Sequence, residues 1–172
     1  MKIAIDMDEV LADPLEKFIR LYHRDYGVPL NTIIQPGYEI HDQMPAEINH
    51  KWYDYIHEKG FFRDLNPIPG AIQAVQKLQS KYEIYIVSAA MEFPFSLEDK
   101  YFWLKEHFPF ISWKNIVFCG EKIVNCDIMI DDRIKNFQGF NGRPLLFTSP
   151  HNQLIEGYER VNNWSEVLEK LM

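Results

Sequence analysis

Lys2-Ile3-Ala4-Ile5-Asp6-Met7-Asp8 opens the chain after Met1, and its reading decides the fold. The short apolar run Lys2-Ile3-Ala4-Ile5-Asp6, rich in β-formers, reads as a buried strand. The strand finishes on two carboxylates separated by one residue. Two such charges repel, and burying them costs several kcal/mol unless a cation lies between them. A metal ion is the simplest source of that cation. The bland alternative is an Asp that caps the next helix and a second Asp in a solvated turn. For an isolated Asp-x-Asp the bland alternative is favoured; the rest of the chain reverses the preference.

Asp13-Pro14-Leu15-Glu16 is a helix start, with Asp as N-cap, Pro at N1 and Glu at N3. Leu15, Phe18, Ile19, Tyr22 and Tyr26 keep helical spacing, and Gly27 ends the run. Residues 28–45, with Pro29, Pro36, Gly37 and Pro45, read as irregular. A second helix is expected from Pro45 to about Glu58. From Gly70 onward apolar strands alternate with amphipathic helices: helix 70–80, strand 82–87, helix 97–107, strands 115–119, 127–131 and 144–148, helix 163–171. That alternation predicts an α/β fold, a parallel sheet with helices on both faces.

In such a sheet, ligands bind beyond the carboxyl ends of the strands. Asp6 and Asp8 end the first strand, Ser88 ends Ile84-Tyr85-Ile86-Val87, Lys122 follows Ile116-Val117-Phe118-Cys119, and Asp131-Asp132 end Ile128-Met129-Ile130. Each has an innocent reading as a cap, a turn or a solvated lysine. Together on one edge they suit phosphoryl transfer. Asp6 can attack phosphorus. Asp8 can protonate the leaving oxygen and later deprotonate water. Ser88 can bind a phosphoryl oxygen, and Lys122 can neutralise nucleophile and phosphate. Asp6, the Asp8 carbonyl and an Asp of the 131–132 pair can hold a hard cation. The donors are oxygens without a His/Cys cluster, so Mg²⁺ is expected rather than Zn²⁺.

The chain has 172 residues, 47% hydrophobic and 25% charged, enough for one core and a small appendage. Net charge is −7, which disfavours a broad nucleic-acid-binding surface. Cys119 and Cys126 lack a CxxC or His spacing and read as free thiols of a reducing compartment. Met1-Lys2 leads straight into the strand, and no apolar run approaches the ~20 residues that span a membrane. The expectation is a cytoplasmic protein. His23, His41, His50, His57, His107 and His151 are scattered, and the sequence assigns them no role.

These residues resemble the four motifs of the haloacid dehalogenase (HAD) superfamily of phosphohydrolases: Asp6-Met7-Asp8-Glu9-Val10, Ser88, Lys122 and Asp131-Asp132. Within it the chain is most similar to the 5′(3′)-deoxyribonucleotidases. The resemblance rests on Asp6 to Asp13, on Gly60-Phe61-Phe62-Arg63-Asp64-Leu65-Asn66-Pro67-Ile68-Pro69-Gly70-Ala71, and on Asp127 to Arg133. It implies a Rossmann-like core, residues 1–13 and 66–172, and a small helical cap inserted after the first strand, residues 14–65. It also implies Mg²⁺, and Asp132 as metal ligand beside Asp6 and Asp8, with Asp131 supporting from behind. The sequence departs from the animal enzymes in four places. Glu9 stands where they have Gly, Pro14 where they have a base-stacking Phe, and Ala89 where they have a second hydroxyl after Ser88. The stretch from Lys122 to Asp132 is one residue shorter. Phosphate handling is intact, whereas base handling differs.

Substrate choice is therefore expected from the cap. Phe18, Tyr22, Trp52, Tyr55 and Phe61 are candidates to stack on a base, with Phe18 and Trp52 foremost, although helical spacing suits most of them as cap core. Ala89 and Met91-Glu92-Phe93-Pro94-Phe95 would form the rim. Arg133 and Lys135 read equally as phosphate field or as solvated surface. The expected function is a Mg²⁺-dependent phosphomonoesterase acting on a nucleoside 5′- or 3′-monophosphate through an aspartyl-phosphate. The competing readings are a phosphatase for another small phosphorylated metabolite, a non-catalytic nucleotide- or phosphate-binding protein, and a plain structural domain. Dehalogenation has no use for Asp8. A small cap leaves room for a second subunit, but no residue argues for one.

Overall fold

The computed structural model describes residues 1–27 and 34–172. Its elements in chain order are β1 (Lys2–Ile5), β2 (Ala12–Asp13), α1 (Pro14–Tyr26), α2 (Lys51–His57), β3 (Asn66–Pro67), α3 (Ala71–Leu78), β4 (Glu83–Ser88), α4 (Ser96–His107), β5 (Ile116–Phe118), β6 (Ile128–Asp131), β7 (Arg143–Phe147), β8 (Arg160–Val161) and α5 (Trp164–Leu171). The irregular reading of residues 28–45 lies outside the described residues for 28–33. From there to Pro45 the chain is irregular apart from a 3-10 turn at Ile40–Gln43.

Six parallel strands form one sheet in the order β5-β4-β1-β6-β7-β8. β1 lies inside it, with Ile3 and Ile5 paired to Ile84 and Ile86 on one side and to Ile128 and Ile130 on the other. Burial on both faces explains why these strands read as continuous apolar runs. The chain reverses its direction of travel across the sheet at β1, so the carboxyl ends of β1, β4 and β6 open into the crevice that α/β sheets use for ligands.

The helices flank the sheet on one face. Ile3, Ile5, Ile84, Ile86, Ile128 and Ile130 share a core with Ala74 and Val75 of α3, Trp103 and Leu104 of α4, and Trp164 and Val167 of α5. The opposite face, Ala4, Val87, Met129 and Leu146, is closed by Phe137, Phe140, Val124 and Ile155 from turns and loops. Helices on both faces were expected. The connections from β5 to β6 and from β6 to β7 leave room for no more than a 3-10 turn at Ile134–Phe137.

α1 starts as expected: Asp13 Oδ1 accepts the Glu16 N–H at 2.8 Å, and Gly27 closes the helix at φ +68°. α2 begins at Lys51 rather than at Pro45. Residues 46–50 form turns, with Ile48 N bonded to Pro45 O and Lys51 N to Ile48 O, and no side chain caps the helix. β2 and β3, both unforeseen, pair antiparallel, Ala12 with Pro67 and Asp13 with Asn66. The chain thus leaves the sheet and returns to it side by side. Between these points the buried Lys17 donates to the carbonyls of Gly60 (3.1 Å) and Phe61 (2.7 Å) and pairs with Asp64. It ties the start of α1 to the returning turn.

β8, also unforeseen, is held by Glu159, which accepts from Arg143 at 2.8 and 2.7 Å and from Lys170 at 3.2 Å. The Arg143 hydrogen bond, with help from Lys170, holds the Glu159 carboxyl down at about 2 against an ordinary 4.5. A depressed folded value means the stabilisation is complete above about pH 4.5 and fades as pH falls toward 2. The pair is about one-third exposed, so solvent screening reduces it to about 1 kcal/mol. Glu159→Gln is expected to lose that amount at pH 7 and less than half of it at about pH 3, read by urea unfolding at both.

Candidate active site

The carboxyl ends of β1 and β6 bring Asp6, Asp131 and Asp132 together. All three are buried, and one carboxylate oxygen from each lies within 4.8 Å of the others. Lys122, on the loop after β5, reaches between them: its Nζ lies 2.5 Å from Asp6 Oδ1 and 2.6 Å from Asp131 Oδ2. Asp6 Oδ1 also accepts the Met7 backbone N–H at 2.7 Å. Asp131 further accepts from the Arg133 backbone N–H at 2.9 Å and from Asn136 Nδ2 at 2.9 and 3.0 Å. Asp131 is thus saturated by protein donors, whereas Asp132 is not. The nearest basic side chains to its carboxylate are His151, with Nε2 at 3.4 Å, and Arg133, with Nε at 3.8 Å.

Charge is out of balance here. Burial raises the Asp6 carboxyl above its ordinary value, Lys122 opposing and Asp131 adding to the rise. Asp132 is pushed well up by burial, then by Glu9, Asp6 and Asp131. Burial alone would lower Lys122, but Asp6 and Asp131 together hold it above its usual range. One ammonium does not neutralise three buried carboxylates. The donor set is all oxygen, which with this excess of negative charge fits a hard divalent cation. Asp8 Oδ1 beside it is buried with no hydrogen-bond partner.

Asp8 and Ser88 meet through a residue that the sequence analysis missed. Lys100 of α4 is fully buried, and its Nζ lies 2.5 Å from Asp8 Oδ2 and donates to Ser88 Oγ at 3.0 Å. Its third side faces the Phe62 ring, 4.4 Å from the centroid. Burial raises the Asp8 carboxyl, Lys100 opposing and Asp6 reinforcing.

Glu9 is the one non-glycine residue with positive φ, +59°, among the described residues. That left-handed turn is where glycine is ordinarily favoured, and it costs a side-chain-bearing residue on the order of 1 kcal/mol or more. The Glu9 carboxylate is gripped by Ser149 Oγ, by His151 Nδ1 at 3.5 Å and by Arg133 at 3.9 Å. Burial works to raise it, but the His151 and Ser149 hydrogen bonds and the Arg133 charge leave it lowered overall. His151, assigned no role from sequence, thus bridges Glu9 and Asp132. Arg133 faces Glu39 through bonds of 2.5 and 3.2 Å.

Asp6, Asp8, Asp132 and Lys122 floor a cleft whose wall holds Ala89, Trp52, Ile56, Phe62 and Phe93; Glu92 and Lys135 also line it. Phe18 lies beside it, bounding a smaller adjoining cavity and meeting Tyr55 edge-on at 5.6 Å. Phe61 bounds the same adjoining cavity and, like Phe18, is largely buried, whereas Tyr22 and Tyr55 are buried in the core and line neither, Tyr55 donating to Asp25 at 2.5 Å. Met91 and Phe95 are exposed and do not line the cleft.

A profile for the family described as 5′ nucleotidase, deoxy (pyrimidine), cytosolic type C (NT5C) matches residues 1–172. The chain belongs to the NT5C family. A Bacillus subtilis protein named 5′(3′)-deoxyribonucleotidase is 40% identical over 177 residues, covering 99% of this chain and 98% of its own. A Staphylococcus aureus protein named provisionally for the same activity is 42% identical over 172 residues, covering 96% of this chain and 92% of its own. Among solved structures, a HAD-type protein of Bacillus subtilis, crystallised with magnesium, superposes with a TM-score of 0.60 at 16% identity, covering 99% of this chain and 97% of that one. This NT5C member therefore has a HAD-like fold and is a phosphoric monoester hydrolase, a phosphatase of the 5′(3′)-deoxyribonucleotidase type. None of its described helices is long and apolar enough to cross a membrane.

Proposed function

We propose that this NT5C protein hydrolyses deoxyribonucleoside 5′- or 3′-monophosphates with Mg²⁺ through an aspartyl-phosphate on Asp6. The observation that carries it is the cluster of Asp6, Asp131 and Asp132, with Lys122 bridging Asp6 and Asp131 and the Asp8 carboxyl two residues beyond Asp6. A carboxylate oxygen of Asp6 bonds to phosphorus as the bond to the nucleoside oxygen breaks. That oxygen takes its proton from Asp8. Water then attacks phosphorus and gives a proton to Asp8, and the bond to Asp6 breaks to release phosphate. Lys122 keeps Asp6 ionised, and the Ser88 hydroxyl holds a phosphoryl oxygen. Mg²⁺ on Asp6, Asp132 and the Asp8 carbonyl would offset the phosphate charge.

Residues 14–65 serve as the cap, and Trp52, with Phe18 behind it, supplies the surface for the base. The free thiols Cys119 and Cys126 favour a reducing, cytoplasmic setting. The test is phosphate release from nucleoside 5′- and 3′-monophosphates and sugar phosphates, with and without Mg²⁺. Metal-dependent release from deoxynucleotides is expected; release only from sugar phosphates would discard the nucleotide assignment. Metal binding has its own readout. Mg²⁺ at about 100 times its Kd should stabilise the fold by about 2.7 kcal/mol, and Asp132→Asn should abolish the gain. An unchanged melting temperature in the parent protein would remove the metal from the site.

A further inference from the structure

The carboxylate of Asp8 has two inequivalent oxygens. Oδ2 faces Lys100 Nζ at 2.5 Å, whereas Oδ1 is buried and has no partner. A lysine ammonium has three donors and no acceptor. The ammonium makes Oδ2 the poorer base of the two, so the unpartnered Oδ1 is the oxygen placed to hold the proton of Asp8. The same ammonium donates to Ser88 Oγ at 3.0 Å. The Ser88 hydroxyl hydrogen is therefore excluded from pointing at Lys100 and remains available to a phosphoryl oxygen.

Nothing lets Lys100 drift from this arrangement. Its third direction is closed by the Phe62 ring, 4.4 Å from Nζ. Its neighbours on α4 are pinned, since Asp99 Oδ2 accepts the Gly60 N–H at 2.8 Å and Trp103 Nε1 donates to Leu65 O at 2.7 Å. A fully buried lysine serving stability alone would need one carboxylate. This one divides its donors between the acid and the hydroxyl on which phosphoryl transfer depends.

We infer that Lys100 is a positioning residue that assigns proton transfer to Asp8 Oδ1 and turns the Ser88 hydroxyl toward the phosphate. The inference rests on the phosphatase reading above. It makes Lys100 matter most where the leaving oxygen needs a proton. A nucleoside alkoxide needs one; p-nitrophenolate leaves without one.

Lys100→Met removes both hydrogen bonds at nearly constant bulk. Lys100→Gln keeps a polar group, but its amide carbonyl can accept from Asp8 Oδ2 and so frees the proton to sit on the wrong oxygen. With the parent, both are assayed on a deoxynucleoside monophosphate and on p-nitrophenyl phosphate, and folding is checked by circular dichroism. On the nucleotide, kcat is expected to fall about 10²-fold or more, with KM changed by less than about threefold. On p-nitrophenyl phosphate the fall should stay below about tenfold. If Lys100→Met does not fold, the same ratio is read on Lys100→Gln. Equal losses on both substrates, or no loss on either, overturn the inference while leaving the phosphatase reading intact. A parent protein inactive on both would instead overturn that reading.

Discussion

Asp6→Asn is expected to cut phosphate release from deoxynucleotides by about 10⁴-fold or more without unfolding the protein. The amide keeps the oxygen that accepts from Lys122 and from the Met7 N–H, so the local geometry survives. It lacks the carboxylate proposed as the nucleophile, and Asp131 is in no position to replace it. Asp131 is tied up by Lys122, Asn136 and the Arg133 N–H. In metal-free buffer the variant should also be slightly more stable than the parent. It deletes one of two buried carboxylates that share the Lys122 ammonium, and burial already raises the Asp6 carboxyl. A gain of about 1 kcal/mol corresponds to about 2–4 °C for a chain of this size. Residual turnover above about one-hundredth of the parent's would be too much for a lost nucleophile and would move that role elsewhere.

Lys122→Met works in the opposite direction on stability. It leaves Asp6 and Asp131 facing one another with no cation, and breaking a buried pair in this way costs about 3–5 kcal/mol. The melting temperature should fall by roughly 10 °C. Lowering the pH should return part of the loss. A carboxyl whose value is raised in the folded state binds its proton more tightly there, so stability recovers as pH falls through that raised value. Mg²⁺ should restore part of it at neutral pH as well. A thermal scan of parent and variant at pH 5 and pH 7.5, with and without Mg²⁺, reads all of this. A variant melting within about 2 °C of the parent under every condition would mean that Lys122 carries little of the charge balance.

The strand-end residues were legible because a polar residue ending a buried apolar run is conspicuous. Asp6, Ser88 and Asp131 each close such a run. The same rule applied to β7 would have drawn attention to Ser149, two residues beyond its end, and then to His151. Lys100 was harder to see. Its partner Asp8 is 92 residues away, and a lysine within a helix is ordinarily solvated. A signal did exist. Ser96, Lys100, Trp103 and Leu104 fall at helical spacing on the buried stripe of α4, where a lysine is out of place. The late start of α2 was hidden because turns at residues 46–50 use the same residue types as a helix. Small pairings such as β2–β3 and β8, two residues each, are set by tertiary contacts and leave no periodic trace.

That short β2–β3 ribbon has a consequence for the history of the chain. It fastens the two ends of the 14–65 excursion together at the rim of the sheet, Asp13 beside Asn66. A loop whose ends are already clasped adds little entropic cost as it lengthens, since closure cost grows only with the logarithm of length. The excursion can therefore be traded for one of another size, like a tool on a fixed handle, provided that the newcomer covers the apolar ground now held by Phe18, Phe61 and Phe62. On the proposed reading of residues 14–65 as the cap, the phosphate chemistry would stay with the handle, and new substrates would arrive with the tool.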